Sequence, residues 1–392
     1  MNLMRSMRIA HLFRRRDESG RPDLPLLSVY RDFGVVPREG RDDNFNKPGD
    51  DLSTYSVVHP GDFVLNKMKT WQGSLGISDY YGIVSPAYFV AAPRSSEHPR
   101  YLHYLLRSEP LIAEYARHSK GIRPNQWDLP WDSFRDIRLT LPDVNSQVAI
   151  ADYLDRETAR IDSLIAAKRR IVEITKSRLI NTARVGTSVG QELKLRRSLA
   201  SIKTGGTPPI DLEAATTGGE RDWYGPGDFG DQPDLEPAVR KLTPEALAAW
   251  NAPVFPAHST LVVGIGATAG RVAYLDHEAT GNQQITCLLT NSRMLPRYLM
   301  WNLWSRSDEI RATAPYTTLP ILNNDFLLSL PIKVASLEDQ ASAVANLDRL
   351  AQVSRRIAQS LDLQVGILRE RRQALITAVV TGALEIPGVA VA

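Results

Sequence analysis

Two long segments of this chain contain almost no residue that would end a helix. The first runs from Asp143 to Gly186 without proline, and its only glycine is the last residue. Its apolar residues recur at steps of three, four and seven, which places them on one stripe of a helix. At about 1.5 Å per residue this helix would be about 60 Å long, and a narrow stripe on so long a helix requires a second helix beside it. The stripe consists of Ile150, Leu154, Ile161, Leu164, Ile165, Ile171, Val172 and Leu179.

The second segment, from Glu338 to Thr381, repeats the first. It also lacks proline and is predicted to form a long helix. Gln147 and Gln340 stand near the start of the two segments, and each is followed by a Leu-Asp-Arg triplet, at 154–156 and 347–349. Such a repeat indicates an internal duplication, which decides the architecture.

A different pattern precedes the first helical segment. Residues 24–134 contain short strand-like runs, such as Phe63–Leu65 and Tyr88–Val90, divided by turn-forming residues. Tyr101–Tyr115 is predicted to be an amphipathic helix with a break near Pro110, because proline cannot continue a helix from within. These features predict a mixed α+β globular unit.

A second globular unit of the same kind spans residues 193–331. Gly73 aligns with Gly270, and Tyr101 with Tyr298, although the two units otherwise differ greatly. Divergent units on a repeated helical scaffold are expected when each unit recognises a different target. The predicted order along the chain is a globular domain, a long helix, a second globular domain, a second long helix and a tail, at 1–142, 143–186, 187–333, 334–385 and 386–392.

Composition narrows the class of protein. The chain has 392 residues, of which 43% are hydrophobic and 23% charged, as in ordinary soluble proteins of two or three domains. It has no apolar run long enough to span a membrane, and its basic start lacks the apolar core that a signal peptide needs, so we expect neither. The single cysteine, Cys287, excludes an intrachain disulfide and suits a reducing cytosol, so we expect a cytoplasmic protein. The net charge of +3 permits a nucleic-acid partner without requiring one.

The motifs of the common nucleic-acid enzymes are missing. Gly264–Gly270 is rich in glycine, but a strand-like run follows it instead of the helix that a phosphate-binding loop needs, so we predict a hairpin turn. No Walker motif occurs, and Asn323–Phe326 resembles the base-gripping motif of adenine methyltransferases only loosely. The commonest metal-dependent nucleases need a Pro-Asp pair followed by an acid-x-Lys triplet. The one such triplet, Glu192–Lys194, is separated from Asp143 by the long helical segment, which should hold the two apart. The seven histidines lack metal-ligand spacing. We therefore expect no catalysis, no metal and no cofactor on this chain.

Polar and basic residues gather instead on the predicted turns of both globular units. Arginine and lysine suit guanine edges and phosphates, while asparagine and glutamine suit adenine edges. Any one of them is more often a solvated loop residue, but their recurrence in both units favours contact with DNA. Trp71 and Trp127 fit a hydrophobic core equally well, and for Trp127 the core is the prediction. The candidate DNA-binding residues are Arg31, Lys67, Lys69, Trp71, Lys120, Arg123, Asn125, Gln126, Lys203, Thr204, Thr207, Arg221, Arg271, Asn282, Gln283, Gln284, Asn323 and Asn324.

Four phrases occur in order on this alternating scaffold: LPLLSVYRDFGVVPR from Leu24, GDFVLNKM from Gly61, VSPAYFV from Val84 and IKTGGTPP from Ile202. Together with the glutamine and the Leu-Asp-Arg triplet that recur near the start of each helical segment, these phrases resemble the DNA-specificity subunits of type I restriction-modification systems over nearly the whole chain. The resemblance implies an α+β fold in which two mixed α/β target-recognition domains are separated by two long antiparallel coiled-coil helices, as a pseudo-two-fold internal repeat. The opening of the second unit near Leu193 has only a short counterpart before Phe13, which leaves open whether the first domain lacks a leading segment.

The resemblance also implies partners. Each domain would read one half of a bipartite double-stranded DNA site, and two methyltransferase subunits and restriction/motor subunits would perform the chemistry. S-adenosylmethionine, ATP and Mg would then be bound by those subunits and not by this chain. Two other classes are weighed against this one. The missing motifs argue against a self-sufficient nuclease, and the two large divergent units argue against a coiled-coil scaffold that binds only proteins. The target sequence and the spacer length stay open.

Overall fold

The computed structural model describes residues 4–31, 33–39, 51–121, 127–209, 211–315 and 320–386. The chain divides into two compact units. Unit 1 comprises residues 1–166 and 364–392, and unit 2 comprises residues 167–363. Each unit therefore contains a globular part and a portion of each long helix.

The globular part of unit 1 consists of short strands and short helices. The strands are β1 (Arg5–Arg8), β2 (Phe13–Arg15), β3 (Leu27–Tyr30), β4 (Gly34–Pro37), β5 (Ser56–Val58), β6 (Phe63–Asn66), β7 (Leu75–Ile77), β8 (Gly82–Val84), β9 (Tyr88–Pro93) and β10 (Arg138–Leu141). The helices are α1 (Ile9–Leu12), α2 (Pro99–Leu106), α3 (Glu109–His118) and α4 (Trp131–Arg135), followed by the first long helix, α5 (Val144–Gly186).

The main sheet of unit 1 has the antiparallel order β2-β9-β6-β7. Phe63 and Leu65 of β6 point to one face, as side chains two apart on a strand must, and they share a core with Tyr101 of α2 and Tyr115 of α3. The predicted helical break is present, because α2 ends at Leu106 and α3 begins at Glu109 with Pro110 in its first turn. Proline is tolerated there, where the backbone N–H has no partner within the helix.

Unit 2 has a second set of strands and helices. The strands are β11 (Gln191–Lys194), β12 (Leu199–Thr204), β13 (Arg221–Tyr224), β14 (Lys241–Leu242), β15 (Ser259–Val263), β16 (Val272–Leu275), β17 (Thr280–Gly281), β18 (Ile285–Thr290) and β19 (Pro331–Val334). The helices are α6 (Leu212–Thr216), α7 (Pro244–Trp250), α8 (Pro296–Trp304), α9 (Ser307–Thr313), α10 (Asn324–Ser329) and the second long helix, α11 (Leu337–Val380).

The main sheet of unit 2 repeats that of unit 1, with the antiparallel order β12-β18-β15-β16. The predicted hairpin turn lies between β15 and β16. Gly73 and Gly270, which the sequence aligns, both have left-handed backbone conformations, with φ of 91° and 90°. A side chain is disfavoured in this conformation, so glycine at both positions follows from the geometry of the turn.

The two long helices pack against each other in both units. In unit 1, Ile150 of α5 lies in the same core as Val379 of α11, and Ile161 of α5 clusters with Val365 of α11. Lower numbers on one helix thus meet higher numbers on the other, so the helices run antiparallel. In unit 2, Leu179, Ala183, Leu347 and Ala351 share one core. Two residues of the predicted stripe are exposed instead of buried: Leu164 is 45% exposed and Ile171 is 47% exposed.

Each long helix begins from an equivalent two-stranded ladder. Strand β1 pairs with β10, which leads into α5, and β11 pairs with β19, which leads into α11. The buried side chain of Gln147 accepts the backbone N–H of His98 at 2.9 Å and donates to the carbonyl of Pro142 at 2.9 Å. These bonds tie the first turn of α5 to the globular part of unit 1.

One aspartate on each long helix, Asp155 on α5 and Asp348 on α11, provides a further attachment to the globular part. In unit 1, Tyr104 donates its hydroxyl to Asp155 at 2.7 Å, and Arg100 pairs with the same carboxylate. Burial raises the pKa of Tyr104 to about 12, so the hydroxyl remains a donor. In unit 2, Arg297 and Trp301 donate to Asp348 at 2.8 and 2.9 Å. The duplication has therefore copied the polar attachment of each globular part to its helix.

The predicted fold class is confirmed: both units are mixed α/β, they repeat one topology, and they share two long antiparallel helices. Within the described part of the chain, no helix combines the length and the apolar character that crossing a membrane requires.

Candidate nucleic-acid interface

Several predicted site residues of unit 1 meet on one surface. We define the first loop surface as residues 66–73, Lys120 and residues 127–129. The backbone N–H of Leu129 donates to the carbonyl of Lys67 at 3.1 Å, and Lys120 forms an antiparallel bridge with Asp128. These bonds bring the turn after β6 beside the segment that precedes α4.

The lysines of the first loop surface differ in how firmly they are held. The ammonium of Lys67 donates to the carbonyl of Pro86 at 2.6 Å and lies 4.6 Å from the ring centre of Phe89. Lys69 and Lys120 are exposed. Their charges are thus available to a phosphate, whereas Lys67 also stabilises the neighbouring turn.

The two tryptophans of this surface pack together. The ring centres of Trp71 and Trp127 lie 4.9 Å apart, and Trp71 donates its indole N–H to the carbonyl of Met68 at 2.9 Å. Both side chains are half-buried. The prediction that Trp127 belongs to the core is therefore wrong: its segment returns along the turn after β6, so the ring packs against the half-buried ring of Trp71.

Four other predicted residues belong to the globular part of unit 1. Arg31 is exposed, and its backbone carbonyl accepts a hydrogen bond from Arg107. Arg123, Asn125 and Gln126 lie outside the described residues.

Four segments of unit 2 form a comparable surface. We define the second loop surface as residues 204–207, 264–266, 281–284 and 321–324. Gly264 lies at its centre, because its N–H donates to the carbonyl of Gln284 at 2.7 Å and its carbonyl accepts the N–H of Leu322 at 2.8 Å. The hydroxyl of Thr204 donates to the side-chain oxygen of Asn324 at 3.3 Å, which joins the segment 204–207 to the segment 321–324.

The side chains of the second loop surface hold one another in place. Thr207 donates to the side-chain oxygen of Gln283. The Gln284 backbone N–H donates to the side-chain oxygen of Asn282 at 2.9 Å, and the amide of Gln284 reaches the carbonyl of Ile265 at 3.3 Å. Asn323 is exposed but caps α10 by accepting the N–H of Phe326 at 2.8 Å. Amide and hydroxyl groups held in this way suit readout of base edges.

Gly205 is required where two of these segments meet. Its N–H donates to the carbonyl of Ile285 at 2.9 Å, and a Cβ atom at this position would lie well inside contact distance of the carbonyl oxygens of Gly281 and Asn282. The first glycine of the phrase IKTGGTPP therefore permits close approach of two backbones.

Three predicted residues of unit 2 lie beside the second loop surface or away from it. Lys203 is exposed at the end of β12, opposite Cys287. Burial raises the pKa of the Cys287 thiol to about 11, which makes it an unreactive core residue. Arg271 donates to the carbonyl of Phe229. Tyr224, at the end of β13, accepts the N–H of Asn282 on its carbonyl and so adjoins the second loop surface. Arg221, at the other end of β13, lies away from that surface and pairs with Glu278.

The structure also reveals two residues that sequence reasoning missed. Ile265 and Ile321 form an antiparallel bridge in the second loop surface, and both are more than one-third exposed. The sequence did contain one indication that Ile265 is exposed, because it stands between two glycines of a predicted turn. Among the described residues, no group of three or more His, Cys, Asp or Glu side chains is placed to hold a metal ion.

Comparison with known proteins points to one class. A family model, "Type I restriction modification DNA specificity domain", matches residues 196–363. A chain from a structure of the type I R-M system, determined for its complex assembly and conformational transition, has a TM-score of 0.71 at 16% identity, over 97% of this chain and 98% of that chain. The likeness shows that the two chains share a fold. The resemblance to type I specificity subunits is thereby confirmed.

Two further solved structures are similar over nearly their full length. The HsdS subunit from Thermoanaerobacter tengcongensis has a TM-score of 0.48 at 16% identity, over 97% of each chain. The S subunit of a type I restriction-modification system from M. genitalium has a TM-score of 0.40 at 12% identity, over 96% of each chain. No curated protein sequence matches this chain significantly.

Proposed function

We propose that this chain is the DNA-specificity subunit of a type I restriction-modification complex. Its two target-recognition domains, residues 1–142 and 187–333, each read one half of a bipartite site on double-stranded DNA. One observation carries the proposal: the two units repeat the same sheet and the same attachment to the helices, yet they present different loop surfaces. A repeated frame with divergent loops suits the reading of two different half-sites.

The composition of the loop surfaces supports DNA as the ligand. Lys69 and Lys120 of the first surface are exposed cations near an aromatic pair, and such cations suit phosphate contacts. The second surface carries Thr207, Asn282, Gln283 and Gln284, whose amides and hydroxyls suit base edges. The first surface thus has more charge and the second more hydrogen-bonding capacity.

The long helices provide a surface for partner subunits. In unit 2, Ile171 and Ile174 of α5 and Val353 and Leu363 of α11 are exposed apolar side chains. Exposed apolar groups on a helix suit contact with another protein. We propose that methyltransferase subunits bind there, and that they and the restriction/motor subunits carry S-adenosylmethionine, ATP and Mg. The chain itself then has no catalytic role, and it acts in the cytoplasm, on the DNA of the cell.

Exchange of one domain tests the proposal. Residues 1–142 are replaced by the corresponding domain of a related specificity subunit, and methylated adenines are mapped across the genome of a strain that contains the whole complex. We expect one half of the methylated motif to change and the other half to persist. A change in both halves, or in neither, would contradict separate reading by the two domains.

Salt-dependent binding separates DNA readout from a protein scaffold. The assembled complex should bind its duplex with an affinity that falls steeply as salt increases, because bound phosphates release counterions. Replacement of Lys69 or Lys120 by alanine should lower the slope by about 1 for each phosphate that the lysine neutralises. Arg169→Ala, which removes an exposed cation of α5, is the matched control. A complex that assembles but shows no salt-dependent duplex binding would be a scaffold.

A further inference from the structure

Ile265 and Ile321 form a small apolar site within a polar surface. They are 37% and 36% exposed, although they come from segments far apart in sequence and are held side by side by a backbone bridge. Isolated exposed apolar residues are common on proteins. A pair fixed at the centre of a loop surface needs a further explanation.

The surroundings of the pair limit what it can bind. The amide of Gln284 donates to the carbonyl of Ile265 at 3.3 Å, and the Thr204–Asn324 hydrogen bond lies in the same surface. Gly266 follows Ile265 with φ of 107°, so the chain turns directly after the residue that is bridged to Ile321. The result is a two-residue apolar site surrounded by amide and hydroxyl groups.

The size of this site decides between two kinds of ligand. A stable protein interface buries about 800 Å² on each partner and has an apolar centre of several residues. Two partly exposed isoleucines are too few for such a centre. In the major groove of DNA the apolar group is the C5-methyl of thymine, and hydrogen-bonding groups of the neighbouring bases surround it. An apolar pair within an amide rim matches that arrangement.

We propose that Ile265 and Ile321 contact the C5-methyl group of a thymine in the half-site read by unit 2. This inference rests on the proposed function and makes it more specific. The two side chains determine specificity at one base pair, while the surrounding amides read its neighbours.

Replacement of thymine by deoxyuridine tests the contact, because it removes one methyl group and keeps the base pair. The complex assembled with its methyltransferase subunits is titrated with duplexes in which each thymine of the methylated motif is replaced in turn. We expect one position at which the wild-type complex binds about fourfold more weakly, as burial of one methyl group predicts.

Variants assign that position to the isoleucine pair. Ile265→Ala and Ile321→Ala should each bind the thymine duplex more weakly and should lose most of the difference between thymine and deoxyuridine. Ile265→Val, which retains a branched apolar side chain, should keep it. Val254→Ala is the control, since Val254 is an apolar residue of unit 2 that is 40% exposed.

The outcomes distinguish this inference from the function on which it rests. A wild-type complex without motif-specific binding would overturn both. Motif-specific binding with no methyl-sensitive thymine, a unit 2 half-site without thymine, or a methyl effect unchanged in both alanine variants would overturn the thymine contact alone. Folded alanine variants that no longer assemble with the methyltransferase subunits would assign the pair to a protein partner instead.

Discussion

Gln340 accepts the backbone N–H of Leu295 on its side-chain oxygen at 2.8 Å, in a fully buried position at the start of α11. It also donates its amide to the carbonyls of Arg293 and Ala335, at 2.9 and 3.0 Å. Gln147 makes the equivalent bond to the N–H of His98 at the start of α5. A single side chain thus satisfies several backbone groups where helix and globular part meet.

We expect Gln340→Ala to lower the free energy of unfolding by about 1–3 kcal/mol, because the backbone groups of Leu295 and Ala335 would lose the partner that the buried Gln340 side chain provides. Urea denaturation followed by circular dichroism measures the change. Gln352→Ala, on the exposed face of α11, should change stability by less than about 0.5 kcal/mol. Equal effects of the two substitutions would show that the buried bonds add nothing.

The attachment through Asp348 should be cooperative. Arg297 and Trp301 both donate to this carboxylate, which is partly shielded from water. We expect Asp348→Ala to destabilise the protein by about 1–3 kcal/mol, and less when Arg297 is already methionine, because the two residues form one network. A double-mutant cycle measures the coupling, with the exposed Asp362→Ala as the control. Additive effects of the Asp348 and Arg297 substitutions would contradict the network.

Gly205 should be intolerant of even a methyl group. A Cβ atom there would collide with the carbonyl oxygens of Gly281 and Asn282, so Gly205→Ala must displace residues 281–284. We expect a loss of about 1–3 kcal/mol in the free energy of unfolding, as for other overpacked sites, together with weaker binding to the methylated motif. Gly227→Ala is the matched control, since a Cβ atom at Gly227 would meet no heavy atom within 4 Å. An alanine at 205 with wild-type stability would mean that the two segments are not held as closely as described.

His277 should make stability depend on pH. Burial opposes protonation of this histidine, but its hydrogen bonds to Asp276 and Asp222, at 2.6 and 2.9 Å, raise its pKa above the ordinary value of 6.5. Lys241 and Tyr224 also contact Asp222. A raised pKa in the folded state means that the stabilisation is present below pH 6.5 and is lost as pH rises through the folded-state pKa.

We therefore expect the free energy of unfolding of the wild type to fall more than that of His277→Gln between about pH 6 and about pH 8. His11→Gln, at an exposed position of unit 1, should follow the wild type. Denaturation titrations at several pH values measure the difference. Parallel pH profiles for the wild type and His277→Gln would exclude a stabilising charge on His277.

The long helices, the break at Pro110 and the shared turn of Gly73 and Gly270 could be predicted from the sequence, because each depends on local periodicity or backbone conformation. The polar attachments could not. Asp155 and Asp348 stand in the repeated Leu-Asp-Arg triplet, but their partners Arg100 and Arg297 lie 55 and 51 residues away. Only the folded topology brings such residues together.

The candidate site could be predicted only in part, for the same reason. Composition places lysine, asparagine and glutamine residues on turns, and several of them do share a surface. Ile265 and Ile321 escape such reasoning because an apolar residue is ordinarily assigned to a core, and its exposure depends on which loops meet. The same assumption misplaces Trp127.

The division of the chain between the two units has a consequence for the order of events on the ribosome. Domains generally fold in the order in which they are synthesised. The core of unit 1, however, includes Ile376, Val379 and Ile386, whereas unit 2 is made entirely from residues 167–363. Unit 2 can therefore complete its core while residues 1–166 still wait for the end of α11. The first half of the chain to be translated is thus the last to be finished, and a nascent chain needs protection for its N-terminal apolar residues throughout that delay.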